Sequence, residues 1–167
     1  MAETFQESLL DLAARPGPGA LAESVRRRAL GHGAWLDIRP GWLAGADALF
    51  GRLLAAVPWR SERRMMYDRV VDVPRLVCFY GDGEPLPDPA LTAARAALDR
   101  HYGPELGESL CTAGLCLYRD GRDSVAWHGD LLVMGGSCQR RWEHAVPKTT
   151  RATGPRISVQ FRPRGVR

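Results

Sequence analysis

Seven residues near the end of the chain constrain its fold most. In the run from Arg156 to Arg162, the apolar Ile157, Val159 and Phe161 alternate with Arg156, Ser158, Gln160 and Arg162. A period of two belongs to a β-strand, whose successive side chains point to opposite faces. The run therefore predicts a strand with one core face and one polar face. An arginine turned inward in a small barrel is costly unless a carboxylate pairs with it. A bound organic diacid can supply that carboxylate through a two-pronged, charge-assisted contact. Arg156 and Arg162 stand six residues apart, roughly 20 Å on an ideal strand, so at most one is the primary anchor. The competing reading is a basic edge strand whose arginines face water.

Further strands are expected over 114–118, 124–127, 131–134 and 139–144, all in the back half of the chain. Helices are expected earlier. Ala46 to Val57 places Leu49, Leu53 and Val57 on one face and stops at Pro58. Pro89 to Tyr102 has Asp88 to cap it, Pro89 in its first turn and a stripe of Leu91, Ala94 and Leu98, with Gly103-Pro104 as its end. A short helix over 4–14, a basic stretch over 23–30 (helical or merely solvated) and a strand over 34–38 complete the front. Residues 70–80 hold one or two strands interrupted at Pro74. Helices in front of a strand-rich back half predict an α+β fold. A length of 167 residues suits one domain. It divides into an N-terminal extension (1–33), a helical and lid-like region (34–106) and a strand-rich core (107–167).

Chemistry concentrates in Val125 to Val146. His128 and Asp130 are spaced i and i+2, so on a strand they share a face, and thirteen residues separate Asp130 from His144. If Gly135-Gly136-Ser137 is a hairpin tip centred on Gly136, His128 lies opposite His144, roughly 5 Å away across the pair. Two histidines and one carboxylate with open positions form the facial set of non-haem Fe(II) oxygenases. A histidine packed beside Trp127 satisfies the same spacing.

Between Trp59 and Gly83, the aromatics Trp59, Tyr67, Phe79 and Tyr80 are interleaved with Arg60, Arg63, Arg64, Arg69 and Arg75. That mixture suits unstacked bases and phosphates, and equally a solvated loop with a few core aromatics. The net charge of +4 and pI near 9.2 permit an anionic partner without requiring one. No stretch approaches the ~20 apolar residues of a membrane span. The acidic start lacks the pattern of a secretory signal. The four cysteines form no CxxC pair and read as free thiols. A cytoplasmic, monomeric protein is the expectation.

Four ordered segments, VPRLVCFYGDG (73–83), LYRDGRDSVAWHGD (117–130), WEHAV (142–146) and GPRISVQFR (154–162), resemble the AlkB-type Fe(II)/2-oxoglutarate dioxygenases, which demethylate alkylated bases in DNA or RNA. The resemblance runs from about Gly33 onward. It implies a double-stranded β-helix, or jelly roll, with helices on one side. It also implies Fe(II) held by His128, Asp130 and His144, with O2 consumed. 2-Oxoglutarate would be held by Tyr118, Arg156, Ser158 and Arg162, with Arg156 on its distal carboxylate. Trp59, Tyr67 and Tyr80 would belong to the lid that receives the alkylated single- or double-stranded nucleic acid. The implied reaction couples decarboxylation of 2-oxoglutarate to succinate and CO2 with hydroxylation of the methyl group, which leaves as formaldehyde.

The chain departs from the family pattern twice. Cys116 stands where the family carries the asparagine of Asn-x-Tyr, and a thiol is a weaker hydrogen-bonding group than a carboxamide. Family members also place several strands between the His-x-Asp pair and the distal histidine, where this chain has thirteen residues. The expected jelly roll is therefore incomplete. Two alternatives stand beside the demethylase: a remnant that binds nucleic acid without turnover, and a dioxygenase acting on a small molecule or a protein.

Overall fold

The computed structural model describes residues 15–22, 24–66, 69–119, 129–142 and 154–164, excluding the side chains of 64–66 and 69–74. Its elements in chain order are β1 (Gly17–Pro18), β2 (Arg26–Gly31), β3 (Ala34–Arg39), β4 (Leu43–Ala44), α1 (Ala46–Ala56), β5 (Arg60–Met66) and β6 (Arg69–Tyr80). They continue with α2 (Pro89–Leu106), β7 (Leu110–Tyr118), β8 (Leu131–Gly136), α3 (Cys138–Arg141) and β9 (Arg156–Pro163). All pairings among them are antiparallel: β5-β6-β7-β9 form one sheet, β2-β3-β8 a second, and β1-β4 a short ribbon.

β9 forms where its alternation predicts. Ile157, Val159 and Phe161 pack on the core, beside Ala113 and Leu115 of β7. The same core takes Leu49 and Leu53 from α1, Val57 at its C-cap, and Ala90 and Leu91 from the start of α2. The rest of α2, through Ala94, Leu98 and Tyr102, packs with Leu21, Trp42 and Leu131 under the three-stranded sheet. α2 is thus the spine shared by both sheets. Its start is fixed by Asp88, whose carboxylate accepts from the Ala90 amide at 2.8 Å and binds Arg52 of α1 at 2.7 Å.

α2 does not stop at Gly103-Pro104. It runs on to Leu106 and closes at Gly107, which has φ of 70° and donates its N–H to the Gly103 carbonyl at 2.9 Å. Proline so near the end removes one hydrogen bond, and the last turn is held from outside. Tyr102 donates to Asp37 of β3 at 3.0 Å, and Glu105 binds Arg27 of β2 at 2.8 Å.

The front half contains more strand than expected. The basic stretch forms β2, because Arg27 lies 3.7 Å over the Trp35 ring and bonds Asp37 through two nitrogens. Burial alone would raise the Asp37 carboxyl. Hydrogen bonds from Arg27 and Tyr102, with the Arg27 charge, outweigh that and hold it below the usual carboxylate value. β6 runs unbroken through Pro74, since the β5–β6 register shifts between Ser61 and Arg63 and opens a bulge opposite them.

The back half also differs. The strand expected over 139–144 begins as a helical turn, α3, and β8 pairs instead with β3, Gly136 opposite Ala34. A side chain at Gly135 would overlap the Trp35 ring, and Gly136, at φ of 60°, lies against the Gly33 carbonyl. The two glycines permit close approach to β3 rather than forming a hairpin tip. The strand expected over 124–127 and the helix over 4–14 lie outside the described residues. The four cysteines are free.

Candidate functional site

The β7–β9 register decides which polar side chains meet. Tyr118 pairs with Arg156, Cys116 with Ser158, Gly114 with Gln160 and Thr112 with Arg162. With a two-residue period these share the face opposite the apolar core. β6 adds Val77 opposite Cys116 and Phe79 opposite Gly114, with Arg75 next in alternation.

Arg156 lies 4.3 Å over the Tyr118 ring. Burial lowers the guanidinium from its ordinary pKa, opposed by Tyr118 and Cys116. A carboxylate arriving there would offset that burial by pairing with the guanidinium. Arg162 donates to Gln160 Oε1 at 2.8 Å, and its own carbonyl accepts from the Thr112 hydroxyl at 3.2 Å. Cys116 is buried, and that burial pushes its thiol up, against the opposing effects of Arg75 and Arg162. Arg75 hydrogen-bonds the thiol while its Nε is buried without a partner. An orphaned buried guanidinium nitrogen is expensive, so the face suits an organic carboxylate. Alternation read backward from Phe79 through Val77 is the sequence signal that places Arg75 on this face.

The other expected site residues are distributed as follows. Asp130 is exposed at the start of β8, and its Oδ1 accepts the Gly41 N–H at 2.7 Å. That bond orients the carboxylate and leaves Oδ2 for a metal, the arrangement that outer hydrogen bonds give metal ligands. His128, His144 and Tyr67 lie outside the described residues. Among the described residues no group of three His, Cys, Asp or Glu side chains gathers. Of the three expected ligands only Asp130 lies among the described residues, and a carboxylate oxygen there has the chemistry of a one-oxygen ligand to Fe(II) beside two imidazoles. Trp59 and Tyr80 pack against the core of the four-stranded sheet, the side away from Arg156. Burial pushes the Tyr80 phenol up to about 12, and the Trp59 indole N–H is buried without a partner.

The arginine-lined sheet face that fits a carboxylate belongs to a chain that also carries a His-x-Asp pair and a later histidine. Comparison with known proteins shows what such a chain is similar to. The chain is 26% identical over 186 residues to the bovine (Bos taurus) "Alpha-ketoglutarate-dependent dioxygenase alkB homolog 3", covering 74% of this chain and 64% of that protein. It is 25% identical over 178 residues to the human (Homo sapiens) protein of the same name, covering 70% and 61%. A 35-residue segment, 21% of this chain and 11% of the relative, is 57% identical to "DNA oxidative demethylase ALKBH2" of Arabidopsis thaliana. No family model matches the chain. The chain is related to the AlkB-type 2-oxoglutarate-dependent dioxygenases. It spans less than two thirds of the length of the alkB homolog 3 proteins. Both of those matches run over more residues than the 167 of the chain itself.

Proposed function

We propose that the chain is an Fe(II)- and 2-oxoglutarate-dependent dioxygenase that demethylates alkylated bases in nucleic acid. The observation that carries this is the Tyr118–Arg156 pair, held side by side by the β7–β9 register with Ser158 on the same face. Arg156 binds the distal carboxylate of 2-oxoglutarate, where its guanidinium offers two parallel donors. Tyr118 and Ser158 donate hydroxyl hydrogen bonds to the same molecule, and Arg162 closes the far end of the pocket. His128, Asp130 and His144 would hold Fe(II), which when bound supplies open positions for the 2-oxo acid and O2. Gly41 keeps the Asp130 carboxylate turned for that purpose. A base reaches such a centre only after leaving its stack, and the arginines of 59–83, with Tyr67 and the exposed Phe79, supply contacts for it. In this reading the two sheets are the facing halves of a jelly roll within one domain, and the protein acts as a cytoplasmic monomer.

A second reading rests on a specific observation. An alignment longer than the chain requires the relatives to carry residues without counterpart here. If the gap falls between Asp130 and His144, jelly-roll strands are missing and the chain is a remnant that binds nucleic acid without turnover.

Succinate release from 2-oxoglutarate with Fe(II), with and without methylated single-stranded DNA, separates these readings. DNA-stimulated succinate supports the demethylase, and its loss in His144→Ala supports the ligand set. Absence of succinate in both arms favours the remnant. Equal release without DNA points to a small-molecule or protein substrate.

A further inference from the structure

The two larger sheets end in four outer strands, β2 and β8 in one and β5 and β9 in the other. Outer strands present unpaired N–H and C=O groups, and proteins guard them with charge, proline or a bulge. β2 reads RRRALG, and its register slips between Ala29 and Gly31. β5 reads RSERRMM and slips between Ser61 and Arg63. β9 carries Arg156 and Arg162 and closes on Pro163. β8 reads LLVMGG, with no charge, no proline and an unbroken register against β3. Among the described residues it is the unguarded edge.

The phase of its backbone is fixed. The Ser137 N–H bonds the Gly33 carbonyl at 3.3 Å, which puts the Ala34–Gly136 pair between two hydrogen-bonded rungs. Alternation then turns the N–H and C=O groups of Leu132 and Met134 away from β3. Their side chains lie on the outer face of the sheet, opposite Ile38 and Leu36, and Leu132 is exposed. Past Gly136 the chain continues into exposed Arg140 and Arg141, which meet no carboxylate among the described residues.

We propose that the free edge of β8 binds an extended segment of another protein as an added antiparallel strand. The segment has apolar side chains at alternate positions and carboxylates at its N-terminal end. Its backbone bonds the outward groups of Leu132 and Met134, and its apolar residues extend the strip those two side chains begin. Antiparallel pairing brings its N-terminal end to Gly136, where the carboxylates reach Arg140 and Arg141. Strand addition takes affinity from main-chain hydrogen bonds and specificity from alternate side chains. A second copy of the chain would bring its own net charge of +4 to the same place, so a partner of opposite charge is favoured.

The test is fluorescence anisotropy of the full chain with a labelled peptide, Glu-Glu-Val-Thr-Val-Thr-Val-Thr. Wild type is expected to bind it saturably. The same peptide with its backbone nitrogens methylated cannot donate to β8 and should bind at least about tenfold more weakly. A peptide headed by Lys-Lys in place of Glu-Glu should also bind more weakly, and the pair Arg140→Glu with Arg141→Glu should reverse that preference. Leu132→Pro removes an N–H that β3 does not use and should weaken binding about tenfold. If Leu132→Pro fails to fold, the methylated peptide and the charge-reversed pair decide. No binding by wild type, equal binding of the methylated peptide, or equal binding of the two headed peptides would each overturn the proposal. Sedimentation velocity without peptide adds one more outcome: a dimer that Leu132→Pro dissociates would give the edge to a second copy and overturn it too. Succinate release is read separately, so failure here leaves the proposed reaction standing.

Discussion

Leu115 on β7 is fully covered, whereas Leu132 on β8 is 52% exposed. Both belong to apolar stretches of antiparallel strand, and each reports on its own sheet. The four-stranded sheet puts its apolar face on α1 and α2 and keeps a polar second face lined by Arg75, Tyr118, Arg156 and Ser158. The three-stranded sheet puts Trp35, Leu131 and Val133 toward α2. Its second face carries Leu36, Ile38, Leu132 and Met134, paired across the β3–β8 ladder. A polar second face needs a ligand or water. An apolar one needs cover, because antiparallel sheets that face solvent normally alternate apolar-in with polar-out. The first sheet is therefore finished as a half-site, and the second has the composition of a sheet meant to face more protein.

The largest effect separates the two leucines. Leu115→Ala leaves a cavity in a core with no exposed wall and should cost about 2–5 kcal/mol. Leu132→Ala should stay within about 0.5 kcal/mol, as for other exposed positions. Thermal unfolding of the two variants measures both. A cost for Leu132→Ala approaching that of Leu115→Ala would break the comparison, since it would mean that the outer face of β3 and β8 is already covered.

A smaller effect tests what fastens the three-stranded sheet to the spine. Asp37 is buried and receives bonds from Arg27 and Tyr102. Asp37→Asn keeps an acceptor for Tyr102 and loses the ion pair. It should cost about 1–3 kcal/mol, the range for weakening a buried polar contact. The pH dependence carries a definite sign. Asp37 has its folded pKa depressed, so its contribution is present above the unfolded value of about 3.9 and disappears as pH falls below it. The melting-temperature gap between wild type and Asp37→Asn should therefore narrow on acidification through that range. A gap that stays constant down to acid would exclude the carboxylate as the source of the stability.

What was legible in the sequence follows the same division. β9 shows its period because three apolar residues meet one core and four polar residues meet one face. α1 and α2 show caps and stripes because those are local devices. The three-stranded sheet resists such reading, because its order comes from contacts distant in sequence. Arg26, Arg27 and Arg28 read as a solvated run until Arg27 is placed over Trp35 and against Asp37. Gly135 and Gly136 read as a turn until Trp35 and Gly33 are placed against them. On the polar face, Arg156, Ser158, Gln160 and Arg162 were legible from their alternation, whereas Tyr118 joined them only through the resemblance. Arg75 and Phe79 were not separated from the neighbouring basic and aromatic residues: alternation groups them with Val77, and the β6–β7 register then says which face that group shares.

The smallest effect sharpens the polar half-site itself. Cys116 occupies the centre of that face, across from Ser158 and Val77, and is 8% exposed. Its thiol is kept protonated by burial, against the pull of Arg75 and Arg162, so it offers a 2-oxo acid neither a charge nor a strong donor. Cys116→Asn places a carboxamide there, with Arg75 positioned to bond its oxygen and its N–H2 left for a carboxylate. One hydrogen bond to a charged group contributes about 1.5–3 kcal/mol, less the cost of burying the amide. A net gain of about 1 kcal/mol, roughly fivefold in 2-oxoglutarate affinity, is expected. Titration of 2-oxoglutarate into wild type and Cys116→Asn, both without nucleic acid, measures it. Unchanged affinity with an intact fold would mean that the co-substrate does not lie over Cys116. The carboxylate-binding role would then shift along β9, toward Gln160 and Arg162.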